Sequence, residues 1–382
     1  MSLVVSCPRE IMINESRVAL MPNGAEELSA DDAKVLVEKS SGIRSGFPDT
    51  CYKDSGAVIA PYLRVWKEAD ILIKVKQPLE EEFKYLYLNK NMLLFCFLHL
   101  AANPALLSAL LRWKITSLGY ETIANDQGTH ILAAMSKIAG RKAFFDAVKL
   151  LENPRGMMIG PESKVMILGL GNAGAEAAKL AAATNPKMLY LLDKNPEVFA
   201  PLEKLFYRQM KISFYKLWFI KHDHDNPDDQ KRIAHLIKDV DLLIGASHIP
   251  GELQQKLVPE WMIKEMKPGS VAVDISIDQG GCFESSVSNP DRDKEIFTKH
   301  GVIHYCVPNI PGRVPMDSTP ALCRETLAYV KQLAKYGLKR AIEENPALAR
   351  GVQTYKGWIT HEGLAKSIGR EDKYKPLSEL IK

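Results

Sequence analysis

The sequence predicts an α/β protein with two Rossmann-like, doubly wound domains, whose sheets are mostly parallel and which are joined by long helices. Two patterns support this fold class. Short apolar runs alternate with helical segments along the chain, and one apolar run meets a glycine-rich turn that opens an alanine-rich helix. The length of 382 residues is sufficient for about two domains with separate hydrophobic cores.

The first part of the chain alternates strand and helix patterns. Residues 22–28 begin with a proline and indicate the start of a helix, and residues 131–151 follow a helical period that Asn153 and Pro154 end. The strand candidates, which are short apolar runs, are residues 3–7, 35–38, 71–75, 92–98 and 117–120. This alternation predicts a largely parallel sheet.

The second part continues the alternation. Thr319 and Pro320 indicate the opening of a last long helix, because proline suits the first helical position, and Asn345 with Pro346 ends that helix near Glu344. The strand candidates here are residues 165–168, 239–245, 271–277 and 302–307.

A glycine-rich turn joins two apolar runs through a helix. Gly169, Gly171 and Gly174 have the spacing that permits a tight turn, the approach of a pyrophosphate and close helix packing. Asp193 ends the second apolar run, 19 positions after Gly174, where a carboxylate accepts hydrogen bonds from a ribose. These features predict a site for NAD rather than NADP, since a 2′-phosphate would meet a like charge. We therefore expect an NAD-binding domain of residues 131–311 and a discontinuous catalytic domain of residues 1–130 plus 312–382.

Composition narrows the class of partner. The net charge of +4, with both signs interspersed, does not favour a nucleic acid or an anionic membrane surface. The chain has no apolar stretch near the roughly 18 residues of a membrane span and no apolar signal region at its start. Its six cysteines are widely spaced, as reduced thiols often are. We expect a cytoplasmic enzyme that acts on a small molecule.

Polar residues follow five of the strand candidates: Arg17, Lys76, His99, Asp278 and Asn309. Because ligands bind beyond the carboxyl ends of strands in open α/β sheets, we expect these side chains to meet at one edge. The two cations can hold a carboxylate, Arg17 through a bidentate fork, and the histidine can exchange a proton. Beside a nicotinamide, this set favours hydride transfer at a carbon that bears a carboxylate and an oxygen or a nitrogen.

Each of these residues alone also has a structural interpretation, as a solvated charge, a strand-end histidine or a turn cap. Lys74 is expected to share the face of Lys76 because strand side chains alternate.

The basic and aromatic segment 205–220 is more typical of core packing or a subunit contact than of nucleic-acid binding. Residues 222–225, His-Asp-His-Asp, are more typical of a solvated loop than of a metal site, so we predict no metal.

Longer motifs occur in order along nearly the whole chain. They are PREIMINESRVALMPNG, ILIKVKQP, FCFLHLAA, AAMSKIAGR, PGSVAVDISIDQGGCFESS, IHYCVPNIPG and NPALARGVQTYKG. Together they resemble the alanine dehydrogenase family, which shares ancestry with the NAD-binding subunit of proton-pumping transhydrogenase. The resemblance implies oxidative deamination of L-alanine to pyruvate and ammonium with NAD, the reverse reductive amination, and a homo-oligomer, a hexamer or a dimer.

The resemblance also implies roles for single residues. His99 and Asp278 match the catalytic groups, and Arg17, Lys76 and Asn309 match substrate-binding positions. The positions that match cofactor contacts are Ser136, Gly169, Gly171, Asn172, Ala173, Gly174, Asp193, Ser247, His248, Ile275, Ile277, Val307 and Ile310.

Several positions on the cofactor side depart from the family pattern, among them Lys137, Val198, Val287 and Ile310. We expect such departures to alter cofactor affinity or specificity rather than the type of reaction. Two alternatives stay open. One is a related dehydrogenase that acts on another amino acid or forms a secondary amine with a keto acid, and the other is a transhydrogenase-like NAD-binding subunit.

Overall fold

The computed structural model describes residues 3–124, 128, 130–213, 216–247, 255–289 and 294–381, apart from the side chains of residues 153–155. The strands are β1 (Val4–Cys7), β2 (Lys34–Glu38), β3 (Val58–Ala60), β4 (Ile71–Lys76), β5 (Leu93–Phe97), β6 (Thr116–Gly119), β7 (Lys164–Leu168), β8 (Met188–Asp193), β9 (Leu217–Lys221), β10 (Leu242–Gly245), β11 (Val271–Asp274), β12 (Ile296–Lys299), β13 (Val302–Tyr305), β14 (Val352–Tyr355) and β15 (Trp358–Ile359). The helices are α1 (Pro22–Ala30), α2 (Asp49–Asp54), α3 (Tyr62–Lys67), α4 (Phe83–Leu88), α5 (Pro104–Trp113), α6 (His130–Arg155), α7 (Asn172–Ala183), α8 (Phe199–Glu203), α9 (Pro227–Ile237), α10 (Glu260–Lys264), α11 (Pro315–Glu344), α12 (Pro346–Gly351), α13 (Glu362–Ser367) and α14 (Leu377–Leu380).

The chain divides into two compact units. The first unit contains the chain up to Met135 and from Gly312 onward, and the second contains most of the chain between these residues. Each unit is built on one mostly parallel sheet with flanking helices. The predicted fold class of two Rossmann-like, doubly wound sheets is therefore confirmed.

The sheet of the first unit has the order β15-β14-β6-β5-β4-β1-β2-β3. Strands β1 to β6 are parallel, whereas β14 and β15 join the end of the sheet antiparallel. The chain runs outward from β1 to β3 and then returns to place β4 on the other side of β1. This reversal makes a switch point between β1 and β4, the place where open α/β sheets bind ligands.

The sheet of the second unit has the order β12-β13-β11-β10-β7-β8-β9, and only β12 is antiparallel to its neighbour. Successive residues of β7 point to opposite faces, because strand side chains alternate. Val165 and Ile167 pack in one hydrophobic cluster, and Met166 and Leu168 pack in another. Both faces are buried, which explains the continuous apolar run in the sequence. The switch point of this sheet lies between β7 and β10.

Several predicted element bounds are wrong. Helix α6 continues to Arg155, past the end expected at Asn153 and Pro154, and β10 begins at Leu242 rather than at residue 239. The strand predicted at 271–277 ends at Asp274, because the Asp274 carboxylate accepts the Ser276 backbone N–H at 3.1 Å and turns the chain. The last long helix begins at Pro315 rather than at Pro320, which lies inside it. Both prolines match the signal for a first helical position, and the earlier one opens the helix.

The five strand ends that carry polar residues do not belong to one sheet. Strands β1, β4 and β5 lie in the first sheet, whereas β11 and β13 lie in the second. The expectation of a single edge is therefore wrong: two strand edges, one in each unit, carry these residues.

Within the described part of the chain, every helix is too short or too polar to cross a lipid bilayer.

Candidate functional site

Of the three glycines in the turn of the second unit, Gly171 leaves space for a ligand, whereas Gly169 and Gly174 are closely packed. Gly169 has a φ of +86°, and a Cβ there would lie 2.8 Å from the backbone of Ala246. A Cβ on Gly174 would lie 1.8 Å from the carbonyl oxygen of Gly169. A Cβ on Gly171, in contrast, would have no described atom within 4 Å. The first and third glycines therefore serve packing, and the second leaves the N-terminus of α7 open to an anion such as a pyrophosphate.

Asp193 lies beside this turn at the end of β8. One of its carboxylate oxygens accepts the Leu170 backbone N–H at 2.6 Å, and the other accepts the Asn195 N–H at 2.8 Å. The side chain is half-buried, and these two bonds fix its orientation toward the turn. This is the position from which a carboxylate accepts hydrogen bonds from a ribose. The residues present thus fit an adenine dinucleotide.

Most of the remaining predicted cofactor positions lie at carboxyl ends of the same parallel sheet. Ser247 follows β10 next to Gly169, Asn172 and Ala173 begin α7, Ile275 and Ile277 follow β11, and Val307 and Ile310 follow β13. Ser136 lies on α6 one helical turn before Gly140, where a Cβ would lie 2.0 Å from the Ala173 carbonyl oxygen. Helix α6 therefore packs directly on the start of α7. His248 lies outside the described residues.

The four positions that depart from the family pattern fall into two groups. Val198 and Ile310 pack with the hydrophobic cluster on one side of the second sheet. Lys137 and Val287 are exposed, Val287 by 50%. The first pair therefore contributes to the core, and the second pair lies on the surface.

In the first unit, Arg17 forms a buried ion pair with Glu15. The Arg17 Nε and Nη2 atoms donate to the two Glu15 carboxylate oxygens at 2.8 and 2.5 Å. Nη1 contacts the sulfur of Met135 at 3.1 Å. The sequence predicted that Arg17 binds a substrate carboxylate in a bidentate manner. In the structure, Glu15 occupies one bidentate edge of the guanidinium. This ion pair holds the guanidinium plane in a fixed orientation.

Lys76 belongs to the same charge cluster. It ends β4, next to β1 across the switch point, and is 9% exposed. Burial alone would raise the pKa of Glu15, but the charge and hydrogen bonds of Arg17, together with the charge of Lys76, lower it below its usual value. Glu15 therefore stays ionised between two cations, which leaves a net positive charge for an anionic ligand.

Lys74 does not act with Lys76. Its ammonium lies 3.0 Å from Glu82 and 3.4 Å from Glu10, and all three side chains are almost fully buried. Burial would lower the pKa of Lys74, but Glu10 and Glu82 raise it. Burial raises the pKa of Glu10 to about 7, against the effect of the Lys74 charge. Lys74 is therefore neutralised inside the unit, and the expectation that it shares the face of Lys76 stays a prediction.

His99 follows β5 in a left-handed conformation, with φ 47° and ψ 43°. Its backbone N–H donates to Glu121 at 2.8 Å, and its carbonyl accepts the Asn103 side-chain amide at 2.8 Å. Its ring stacks on Phe97 with the ring centroids 5.8 Å apart. These contacts fix the backbone on both sides of the imidazole and support one of its faces.

Asp278 and Asn309 lie together in the second unit. The Asn309 backbone N–H donates to both Asp278 carboxylate oxygens, at 3.2 and 3.1 Å. Asp278 is exposed, whereas Asn309 is 6% exposed. The structure thus joins the ends of β11 and β13 through an acid that solvent can reach.

The structure brings the predicted residues together in two sets. Lys76 and His99 lie at the ends of the neighbouring strands β4 and β5 of the first unit, and Arg17 lies in the segment that follows β1. Asp278 and Asn309 lie with the cofactor positions of the second unit. The first set has the chemistry to bind a carboxylate and exchange a proton, and the second carries the dinucleotide turn.

Sequence reasoning missed the carboxylates that hold these groups. Glu15 lies two residues before Arg17, but it is an acid in a loop, and only cations in that loop were considered as ligands for a carboxylate. Glu121 follows the strand candidate at 117–120 and occupies a strand end, so the rule that selected His99 also applied to it. Gln353 has no local signal, since its partner is 232 residues away.

The loop after β9 groups three potential metal ligands. Ligand atoms of Asp223, His224 and Asp225 lie within 4.8 Å of one another. The Asp223 carboxylate lies 3.2 Å from the Lys194 ammonium and accepts the Asp225 backbone N–H at 3.2 Å. The Asp223 carboxylate thus already has a cationic and a backbone partner, and the absence of a metal stays a prediction.

Comparisons with known proteins cover both units. The family models described as Alanine dehydrogenase/PNT match residues 6–139 with the N-terminal domain and residues 150–362 with the C-terminal domain. An alanine dehydrogenase of Staphylococcus haemolyticus (strain JCSC1435) is 40% identical over 377 residues, which is 96% of this chain and 96% of that protein. A solved L-alanine dehydrogenase is 34% identical with a TM-score of 0.85, over 96% of this chain and 99% of its own. A transhydrogenase from Sinorhizobium meliloti is 22% identical with a TM-score of 0.77, over 93% and 99%, and shares the fold.

Proposed function

We propose, because the chain belongs to the alanine dehydrogenase/PNT family, that it catalyses the NAD-dependent oxidative deamination of L-alanine and the reverse reductive amination. In the forward direction, L-alanine, NAD and water yield pyruvate, ammonium, the reduced cofactor and a proton. The observation that carries the proposal is that Lys76 and His99 end neighbouring strands at the switch point of the first unit, where Arg17 and Lys76 share the carboxylate of Glu15.

The charged residues of the first unit bind and orient the amino acid. Lys76 and Arg17 bind the substrate carboxylate. The bidentate pair with Glu15 keeps the guanidinium in place, so that little side-chain entropy is lost on binding. His99 accepts a proton while water adds to the iminium carbon, and it returns the proton during reductive amination.

The second unit binds the cofactor and carries the second catalytic group. NAD, when bound, accepts the Cα hydrogen of alanine as a hydride. The open position at Gly171 would admit the pyrophosphate of the cofactor, and Asp193 would accept hydrogen bonds from its adenosine ribose. Asp278 has the second catalytic role that its position in the family pattern implies, and Asn309 holds Asp278 through its backbone N–H.

The proposal is tested with the purified chain alone. Reduction of NAD is followed at the nicotinamide absorbance band with L-alanine, with a panel of other amino acids, and with NADP in place of NAD. Turnover of L-alanine without a partner protein excludes a subunit that works only in a complex. Turnover of a different amino acid, with L-alanine inert, would overturn the assignment of the substrate.

Replacement of His99 by alanine is expected to lower kcat about 10²-fold or more, because the proton acceptor is lost. The matched control is His235→Ala, which removes an exposed histidine from α9 and is expected to retain full activity. An unchanged rate in His99→Ala would remove His99 from the mechanism.

The cytoplasmic location and the homo-oligomer, a hexamer or a dimer, remain predictions. Large aromatic residues are enriched in protein interfaces, and Trp218 and Trp261 are 47% and 53% exposed. Light scattering on the purified chain measures the number of subunits directly.

A further inference from the structure

The backbone conformation of His99 requires support from its surroundings. A φ of 47° is unfavourable for a residue with a side chain, and such strain persists only where neighbouring groups enforce it. The Glu121 carboxylate provides this support. It accepts the His99 N–H at 2.8 Å and the Leu98 N–H at 3.2 Å. Two successive backbone N–H groups thus converge on one anion, as in backbone nests.

Glu121 is itself buried and held by a second residue. It is 7% exposed, and its Oε1 accepts the Gln353 side-chain amide at 3.1 Å. Burial raises the pKa of Glu121, while hydrogen bonds from its own N–H, His99, Leu98 and Gln353 lower it. An unpartnered carboxylate in this position would be costly, so the Gln353 amide contributes to keeping it in place.

Gln353 reaches Glu121 because strand β14 carries a bulge. Val352 is paired with Leu118 and Thr354 with Ser117, so that Gln353 is an extra residue between two successive pairs. Bulges redirect side chains and often occur beside active sites. Gly119 provides the space, since a Cβ there would lie 2.0 Å from the Gln353 amide nitrogen.

We propose that Glu121 and Gln353 are positioning residues for His99: the bulged strand β14 holds the Glu121 carboxylate, which holds the backbone that directs the imidazole. Neither residue is assigned a contact with substrate. The inference rests on the proposed role of His99 as the proton acceptor. It makes a strand near the end of the chain a determinant of the turnover rate.

The test uses Gln353→Leu and a matched control on the same strand. Gln353→Leu keeps the side-chain size and removes the amide, and Glu121→Gln is a second variant that keeps the shape of the carboxylate. The control is Thr354→Val, which removes the buried hydrogen bonds of Thr354 to Ser117 at 2.7 Å and to the Ile115 carbonyl at 2.9 Å. These bonds join the same two strands but do not reach Glu121.

Two readouts are compared on the full-length protein. Gln353→Leu and Glu121→Gln are expected to lower kcat at least about tenfold, because a misplaced catalytic group loses rate, with the KM for L-alanine within about twofold. The NMR signal of the His99 ring, assigned as the histidine signal that disappears in His99→Ala, is expected to shift in both variants. Thr354→Val is expected to change neither kcat nor that signal.

The NMR readout separates the two proposals. If the wild-type protein does not oxidise L-alanine but the His99 signal moves in Gln353→Leu and not in Thr354→Val, the proposed reaction is wrong and the positioning of His99 is supported. If Gln353→Leu and Thr354→Val leave both kcat and the His99 signal at wild-type values, the positioning role is overturned. Equal losses of kcat in Gln353→Leu and Thr354→Val would also overturn it, since both would then report general strand stability.

Discussion

His99 and Asn309 have the same backbone arrangement, a left-handed residue whose N–H donates to a carboxylate, but the two carboxylates differ in exposure. Both residues are left-handed, with φ values of 47° and 50°, and both donate their N–H to a carboxylate. Glu121, the partner of His99, is 7% exposed, whereas Asp278, the partner of Asn309, is exposed. Under the roles proposed above, the buried acid Glu121 supports the reactive side chain of His99, whereas the exposed acid Asp278 is itself the reactive group.

The largest expected effect tests the exposed acid. Asp278→Asn keeps an oxygen that accepts the Asn309 N–H but removes the negative charge of the proposed catalytic group. We expect kcat to fall about 10²-fold and the free energy of unfolding to change by less than about 0.5 kcal/mol. Both are measured on the same preparation, by the nicotinamide absorbance assay and by urea unfolding.

A control for this prediction lies in the same segment of the chain. Glu284 is also exposed and also accepts one backbone N–H, that of Glu260 at 2.8 Å. Glu284→Gln is therefore expected to retain activity. A large loss of stability in Asp278→Asn would show that its carboxylate is structural, and the comparison with Glu121 would fail.

The second prediction concerns a buried acid of the second unit. Asp274 is fully buried and accepts the Cys282 and Phe283 N–H groups at 2.9 and 3.2 Å and the Ser286 hydroxyl at 2.6 Å. Asp274→Asn replaces one acceptor by a donor that faces these groups. We expect the free energy of unfolding to fall by about 2 kcal/mol, the scale of a hydrogen bond to a charged group. Urea unfolding measures this loss.

The matched control for Asp274 is another buried acid of the same sheet. Asp241 is 1% exposed and accepts the Lys164 N–H at 2.8 Å at the amino end of β7. Asp241→Asn is expected to lower stability without lowering kcat, since it does not hold the segment that carries Asp278. Asp274→Asn is expected to lower both, and a normal kcat in that variant would separate Asp274 from the site.

The smallest expected effect concerns Asp193, whose exposure is intermediate between those of Glu121 and Asp278. Asp193→Asn keeps an acceptor for the Leu170 N–H and removes the charge. We expect the preference of kcat/KM for NAD over NADP to fall about tenfold, the effect of losing one charged hydrogen bond. Steady-state rates with both cofactors measure the ratio. An unaltered ratio would contradict the assignment of Asp193 to the ribose.

Local sequence patterns were sufficient for the fold class and for the candidate groups. The glycine turn and Asp193 have a fixed spacing because one strand, one turn and one helix contain the whole fingerprint. Arg17, Lys76 and His99 were identifiable because strand ends follow apolar runs directly. Strand β14 and the antiparallel edge strands were not predicted, since short polar strands have little periodic signal.

The sequence by itself determined the fold class and the candidates for the chemistry, because residue type and local spacing can be read along the chain. Only the tertiary structure decided which of these side chains form buried ion pairs or hydrogen bonds, and with which partners. Lys74 and Lys76 are neighbours of the same type on one strand, yet burial beside Glu10 and Glu82 neutralises the first and not the second. The link from Gln353 to Glu121 to His99 depends on strand pairing between distant parts of the chain, and no local pattern encodes such a pairing.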